Sequence, residues 1–69
     1  MDNNGLRRRT LTAWFRNNVQ PLATSKALFI HRNTLEYRLN RISELTGLDL
    51  GNFDDRLLLY IALQLDEQR

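Results

Sequence analysis

Cysteine is absent from this chain of 69 residues, and histidine occurs once. Those shortages exclude a disulfide framework, a cysteine-built zinc site, thiol catalysis and any metal site that needs two imidazoles. No cofactor or metal is expected. Proline occurs once and glycine three times, so the chain reads as folded rather than disordered, and its length allows one domain at most, expected over residues 1–69. The longest apolar run, Leu57 to Leu63, is far short of the ~20 residues that cross a bilayer. Met1 to Gly5 is polar and an Arg-rich stretch follows, so no secretory signal is read and a cytoplasmic location without membrane contact is expected. A phosphate-cradling glycine loop is missing, as is an acid pair beside the lone His31, so the chain does not read as an enzyme. No small-molecule ligand is expected in this fragment.

What is present is a folded composition, 42% apolar and 26% charged, at a length near the lower limit for a core without covalent or metal support. Charge is divided along the chain. Residues 1–47 hold eight cations and three anions, whereas residues 48–69 hold two cations and five anions. The first part is therefore net +5 and the second net −3. A basic stretch of this kind suits a polyanionic partner. Nine of the ten cations are arginine, whose planar fork matches phosphate or guanine bidentately.

Apolar periodicity predicts an all-α fold, a small four-helix domain with no strand. The first helix is expected from about Leu6 to Asn17, capped by Asn3 or Asn4, with Leu11, Trp14 and Phe15 inward and Arg9 and Arg16 on the opposite side. Asn17 to Gln20 reads as a loop. Pro21 suits the first turn of a second helix, Pro21 to Leu28, because its missing N–H is not needed there. The third is expected from Arg32 to Thr46, where Leu35, Leu39, Ile42 and Thr46 fall within roughly 60° on a helical wheel and Gly47 supplies the stop. Asn52 reads as the cap of a fourth helix, Phe53 to Asp66, with Asp54 and Asp55 placed to favour its dipole.

Helices two and three, separated by Phe29-Ile30-His31, form a helix-turn-helix, whose second helix contacts bases through its amino-terminal residues. Leu28, Ile30, Leu35 and Leu39 are the apolar clamps. His31, Arg32, Asn33 and Tyr37 are the candidate base contacts. Arg32 can pair with guanine and Asn33 with adenine. Thr24, Ser25, Lys26, Thr34, Arg38 and Arg41 are the candidate backbone contacts. Each has a plainer alternative. His31 or Thr34 can simply cap the helix, Asn33 can form the turn, Arg32 can pair with Glu36, and Tyr37 can lie on the surface. Arg7-Arg8-Arg9 reads more readily as a solvated face than as a phosphate site. The turn position often held by glycine is Phe29, so a rearranged turn is expected, with Phe29 packed into the core or against another domain.

The stretch Thr24-Ser25-Lys26-Ala27-Leu28-Phe29-Ile30-His31-Arg32-Asn33-Thr34-Leu35-Glu36-Tyr37-Arg38-Leu39, with Arg41-Ile42 and Leu45-Thr46-Gly47-Leu48-Asp49-Leu50 after it, resembles the carboxy-terminal DNA-binding module of bacterial sugar-diacid and purine-catabolism regulators. The likeness runs from about Leu6 to Leu65 and is nearest the sugar-diacid members. It implies sequence-specific binding of double-stranded DNA by a transcription activator of genes for glucarate, galactarate and glycerate use. It also implies that this chain is the output module of a longer regulator whose sensor lies upstream.

Leu57, Leu58, Leu59, Tyr60, Ile61, Ala62, Leu63 and Leu65 fill almost the whole wheel of the fourth helix, the pattern of a helix buried on more than one side. Two readings stand. It is the central helix of the bundle, or one side meets a second copy or the upstream sensor. The rival function is a helical interaction or dimerisation module without direct DNA contact. An RNA-binding role is less suited, since no aromatic stacking platform is evident.

Overall fold

The computed structural model describes residues 3–67, which form four helices and no strand: α1 (Asn3–Arg16), α2 (Pro21–Leu28), α3 (Arg32–Thr46) and α4 (Phe53–Glu67). The bounds of α2 and α3 are those expected. Helix α1 starts three residues earlier than Leu6, and the side chains of Asn3 and Asn4, the expected cap, lie outside the described residues.

Local chemistry sets the helix ends. Pro21 occupies the first turn of α2. At its other end the N–H of Ile30 donates to Ser25 O at 3.0 Å and that of Phe29 to Lys26 O at 3.2 Å. This bond pair is a Schellman motif, which requires a left-handed residue after the helix. Phe29 takes that conformation, φ 57° and ψ 42°. Helix α3 opens on His31, whose Nδ1 accepts the N–H of Asn33, and closes on Gly47 at φ 74°, whose N–H donates to Ser43 O. Asn52 caps α4 through Oδ1, which accepts the N–H of Asp55 at 3.0 Å.

The core is small and one-sided. Leu11, Trp14, Ile42, Leu59 and Leu63 are buried together, with Phe15, Val19, Leu39, Leu48 and Leu50 packed around them. Leu35 is fully buried in α3. Helices α1, α2 and α3 pack pairwise; among the described residues the backbone of α4 comes close to α1, while its Leu59 and Leu63 share the core with Ile42 of α3. The ring of Phe15 meets Tyr60 edge-on at 5.2 Å, and Arg8 pairs with Asp66, so both contacts tie α4 to α1. The expectation of a central fourth helix is thereby corrected. Only Leu59 and Leu63 of its apolar residues are buried, while Leu57, Leu58, Ile61 and Leu65 remain 44–63% exposed. A wheel that is apolar all round does not say how much of it is covered, and here one side is. Thr46 is also exposed rather than in the core, its hydroxyl bonded to Ile42 O at the last turn of α3.

Candidate nucleic-acid interface

The geometry of the helix-turn-helix follows from the two caps and one anchor. Leu35 sits one turn into α3 with no exposed surface, which fixes the rotation of the helix about its axis. Arg32, Asn33 and Thr34, immediately before it, are all exposed. Arg32 makes no ion pair among the described residues, and the pair with Glu36 does not form. Its fork is therefore available to a base edge or phosphate. The N–H groups of the first turn of α3 point the same way, carrying the positive end of the helix dipole.

His31 spends Nδ1 on the cap, at 3.0 Å from the N–H of Asn33. Its ring is exposed, so only Nε2 is left for an external contact. Tyr37, 66% exposed, lies one turn along the same helix. It lines a groove of about 270 Å³ between α1 and α3 with Arg38, Arg41, Leu45, Leu6 and Arg7. Arg41 also pairs with Glu44 at 3.1 Å. Both side chains are more than half exposed, so the pair is worth at most about 0.5 kcal/mol and gives way readily to a phosphate.

Two expected backbone contacts are corrected. Thr24 is 0% and Ser25 3% exposed. Thr24 Oγ1 donates to Gln20 O at 2.7 Å and Ser25 Oγ to Leu22 O at 2.8 Å. Both face inward because α2 has only eight residues and must bury its inner side against α1 and α3; the small hydroxyls satisfy themselves on carbonyls of their own turn. Of the three residues expected there on phosphate, only Lys26 is exposed.

Arg7 was not among the expected contacts. The Arg7-Arg8-Arg9 run is divided between faces. Arg7 lines the α1–α3 groove beside Arg38 and Arg41, Arg8 pairs with Asp66, and both Arg8 and Arg9 join Arg16 along a second groove between α1 and α2. Consecutive helical residues are 100° apart, so a run of like charge cannot serve one face. The placement of Arg7 beside α3 depends on helix crossing, which the sequence does not display.

The turn departs from expectation in a specific way. It is not rearranged, and within this domain Phe29 is 94% exposed rather than packed into the core. The clamps Leu28 and Ile30 on either side are half-buried. Among the described residues no group of three or more His, Asp or Glu is placed to hold a metal ion, and no helix is long and apolar enough to cross a membrane.

A family model described as the PucR C-terminal helix-turn-helix domain matches residues 8–65. The chain is 93% identical over all 69 of its residues to the carbohydrate diacid regulator of Escherichia coli (strain K12), of which it covers 18%. It is 39% identical over 61 residues, 88% of the chain, to the proline-responsive transcriptional activator PutR of Bacillus subtilis (strain 168), covering 15% of that protein. To the purine catabolism regulatory protein of the same organism it is 36% identical over 56 residues, 81% of the chain and 10% of the relative. The chain thus spans less than a fifth of the length of each. No solved structure matches it. The family match begins in α1, runs through the capped turn and α3, and ends in α4, so the chain belongs to the PucR C-terminal helix-turn-helix domain family.

Proposed function

We propose that this domain binds double-stranded DNA sequence-specifically, as the output module of a bacterial transcription activator of sugar-diacid utilisation genes. One observation carries the DNA reading. The amino end of α3 offers Arg32, Asn33 and Thr34 exposed beside a groove that carries Arg7, Arg38 and Arg41. Arg32 and Asn33 read base edges in the major groove, Arg32 as a guanine fork and Asn33 as an adenine clamp. His31 through Nε2 and Tyr37 through its hydroxyl contact bases at the edges of the site. Lys26, Thr34, Arg38, Arg41 and Arg7 hold the phosphates, which fix register without reading sequence. The sugar-diacid assignment is supported by the 93% identity to the E. coli regulator. The relative PutR, a proline-responsive transcriptional activator, supports activation.

Selection of bound fragments from a random duplex library tests this reading. A recurring half-site motif is expected. Recovery of unselected sequence, with no retarded band in a low-salt gel shift, would overturn it.

A second reading has its own observation, the uncovered apolar stripe of Leu57, Leu58, Ile61 and Leu65 on α4. It supports contact with a second copy, which would place two readers on paired half-sites. The two readings are compatible; a module that only self-associates would leave the exposed Arg32 without a role.

A further inference from the structure

Phe29 sits where the isolated fold gains least from it. Its left-handed backbone, φ 57° and ψ 42°, is one that an L side chain other than Asn or Asp rarely adopts. The ring is 94% exposed, so the strain is not offset by burial. Glycine would close the same Schellman turn without either disadvantage. An outlier of this kind directs attention to what the side chain does outside the fold.

Its surroundings say what that is. Lys26 precedes it by one turn of α2, and His31 and Arg32 follow it at the start of α3; all three are exposed. Neither Lys26 nor Arg32 is paired with a described carboxylate. Glu36, the nearest acid in the sequence, lines a different cleft with Trp14, Pro21 and Asn40. An aromatic ring among cations suits a surface that is anionic yet has apolar points. The major groove has both, in its phosphate walls and in the C5-methyl groups of thymine. Phe29 lies two residues from the cap His31, at most about 7 Å along an extended chain, whereas the groove is about 12 Å wide. The ring is therefore within reach of the groove that α3 is proposed to enter.

We propose that Phe29 is a specificity-determining residue whose ring packs on the C5-methyl group of a thymine flanking the base pairs met by Arg32 and Asn33. The inference rests on the DNA-reading function proposed above and adds an apolar contact to its polar ones. The contact recognises a methyl group rather than a hydrogen-bond pattern, so it has a test that none of the polar residues shares.

Each thymine of a selected duplex is replaced in turn by deoxyuridine, which lacks only that methyl group, and affinity is read by fluorescence anisotropy at low salt. The unaltered chain is expected to lose about fourfold at one thymine, the factor that one buried methyl-sized group supplies. Phe29→Gly is expected to bind the parent duplex more weakly by at least that factor and to be indifferent to the replacement. Its melting temperature should be equal or higher, which separates lost contact from lost fold. If Phe29→Gly binds like the unaltered chain, or still distinguishes thymine from deoxyuridine, the proposal is overturned. An equal loss on selected and random duplexes also overturns it, since the ring would then touch only the sugar-phosphate wall. Failure of the unaltered chain to bind any duplex would defeat the DNA reading itself, a result distinct from the others.

Discussion

The Nδ1 atom of His31 accepts the backbone N–H of Asn33 at 3.0 Å, so the residue expected to contact a base is also the cap of the helix proposed to read DNA. The two roles use different ring atoms. Replacing His31 by Ala removes both and should cost about 1 kcal/mol of stability, a fall of roughly 4–8 °C in a domain of this size. His31→Asn should keep the cap and hence most of the melting temperature. If His31→Asn then binds a selected duplex several-fold more weakly, Nε2 contacts DNA; unchanged affinity would reduce His31 to a cap.

Arg32 and Asn33 should separate from Arg7, Arg38 and Arg41 by the kind of loss they produce. Arg32→Ala or Asn33→Ala is expected to cost about 1–3 kcal/mol on the selected site and to relax preference at one position. Arg38→Ala or Arg41→Ala should weaken binding about equally on all duplexes and lower the salt slope by about 1 each. Titrations at several salt concentrations on selected and random DNA distinguish the two patterns. A uniform loss for Arg32→Ala would remove it from the readers.

How far the sequence disclosed this arrangement depended on whether a single residue type settled each point. Pro21 and Gly47 mark the bounds of α2 and α3 because each does something no other residue does as well at that position. Leu35 and Ile42 were legible as core from their spacing of seven, and both are buried. Thr24 and Ser25 misled because a small hydroxyl residue is at home either on phosphate or against its own carbonyls, and only the packing of α2 chooses. The start of α1 was missed because Asn3 to Gly5 has no apolar period to read. Phe29 stands out in the sequence as a bulky residue at a turn position suited to glycine, but nothing in the sequence shows that the left-handed turn is kept and the ring left outside.

Leu35 is the anchor on which the presentation of Arg32 to Thr34 depends, and it is fully buried. Leu35→Ala removes three heavy atoms from a site with little freedom to collapse, a change that costs about 2–5 kcal/mol. A domain this small rarely holds more than about 3–5 kcal/mol in all. The variant should therefore be largely unfolded at 37 °C by circular dichroism and should bind no duplex, selected or random. Retention of cooperative unfolding within a few degrees of the unaltered chain would show that α3 is held mainly by other contacts.

Leu58 and Ile61 lie on the side of α4 away from Leu59 and Leu63, and they are 58% and 47% exposed. A charge placed there meets solvent in the isolated domain, so Leu58→Glu and Ile61→Glu should leave the melting temperature nearly unchanged; surface changes of this type stay within about 0.5 kcal/mol. Against a second copy the same charge would be buried and unpaired, which is costly. Sedimentation at high protein concentration should then show self-association of the unaltered chain and its loss in both variants. Binding to a duplex with two half-sites should fall further than binding to a single half-site, because only the former gains from two linked readers. A strict monomer at every concentration, with both variants unaffected on either duplex, would mean that the α4 stripe does not pair two copies of this domain.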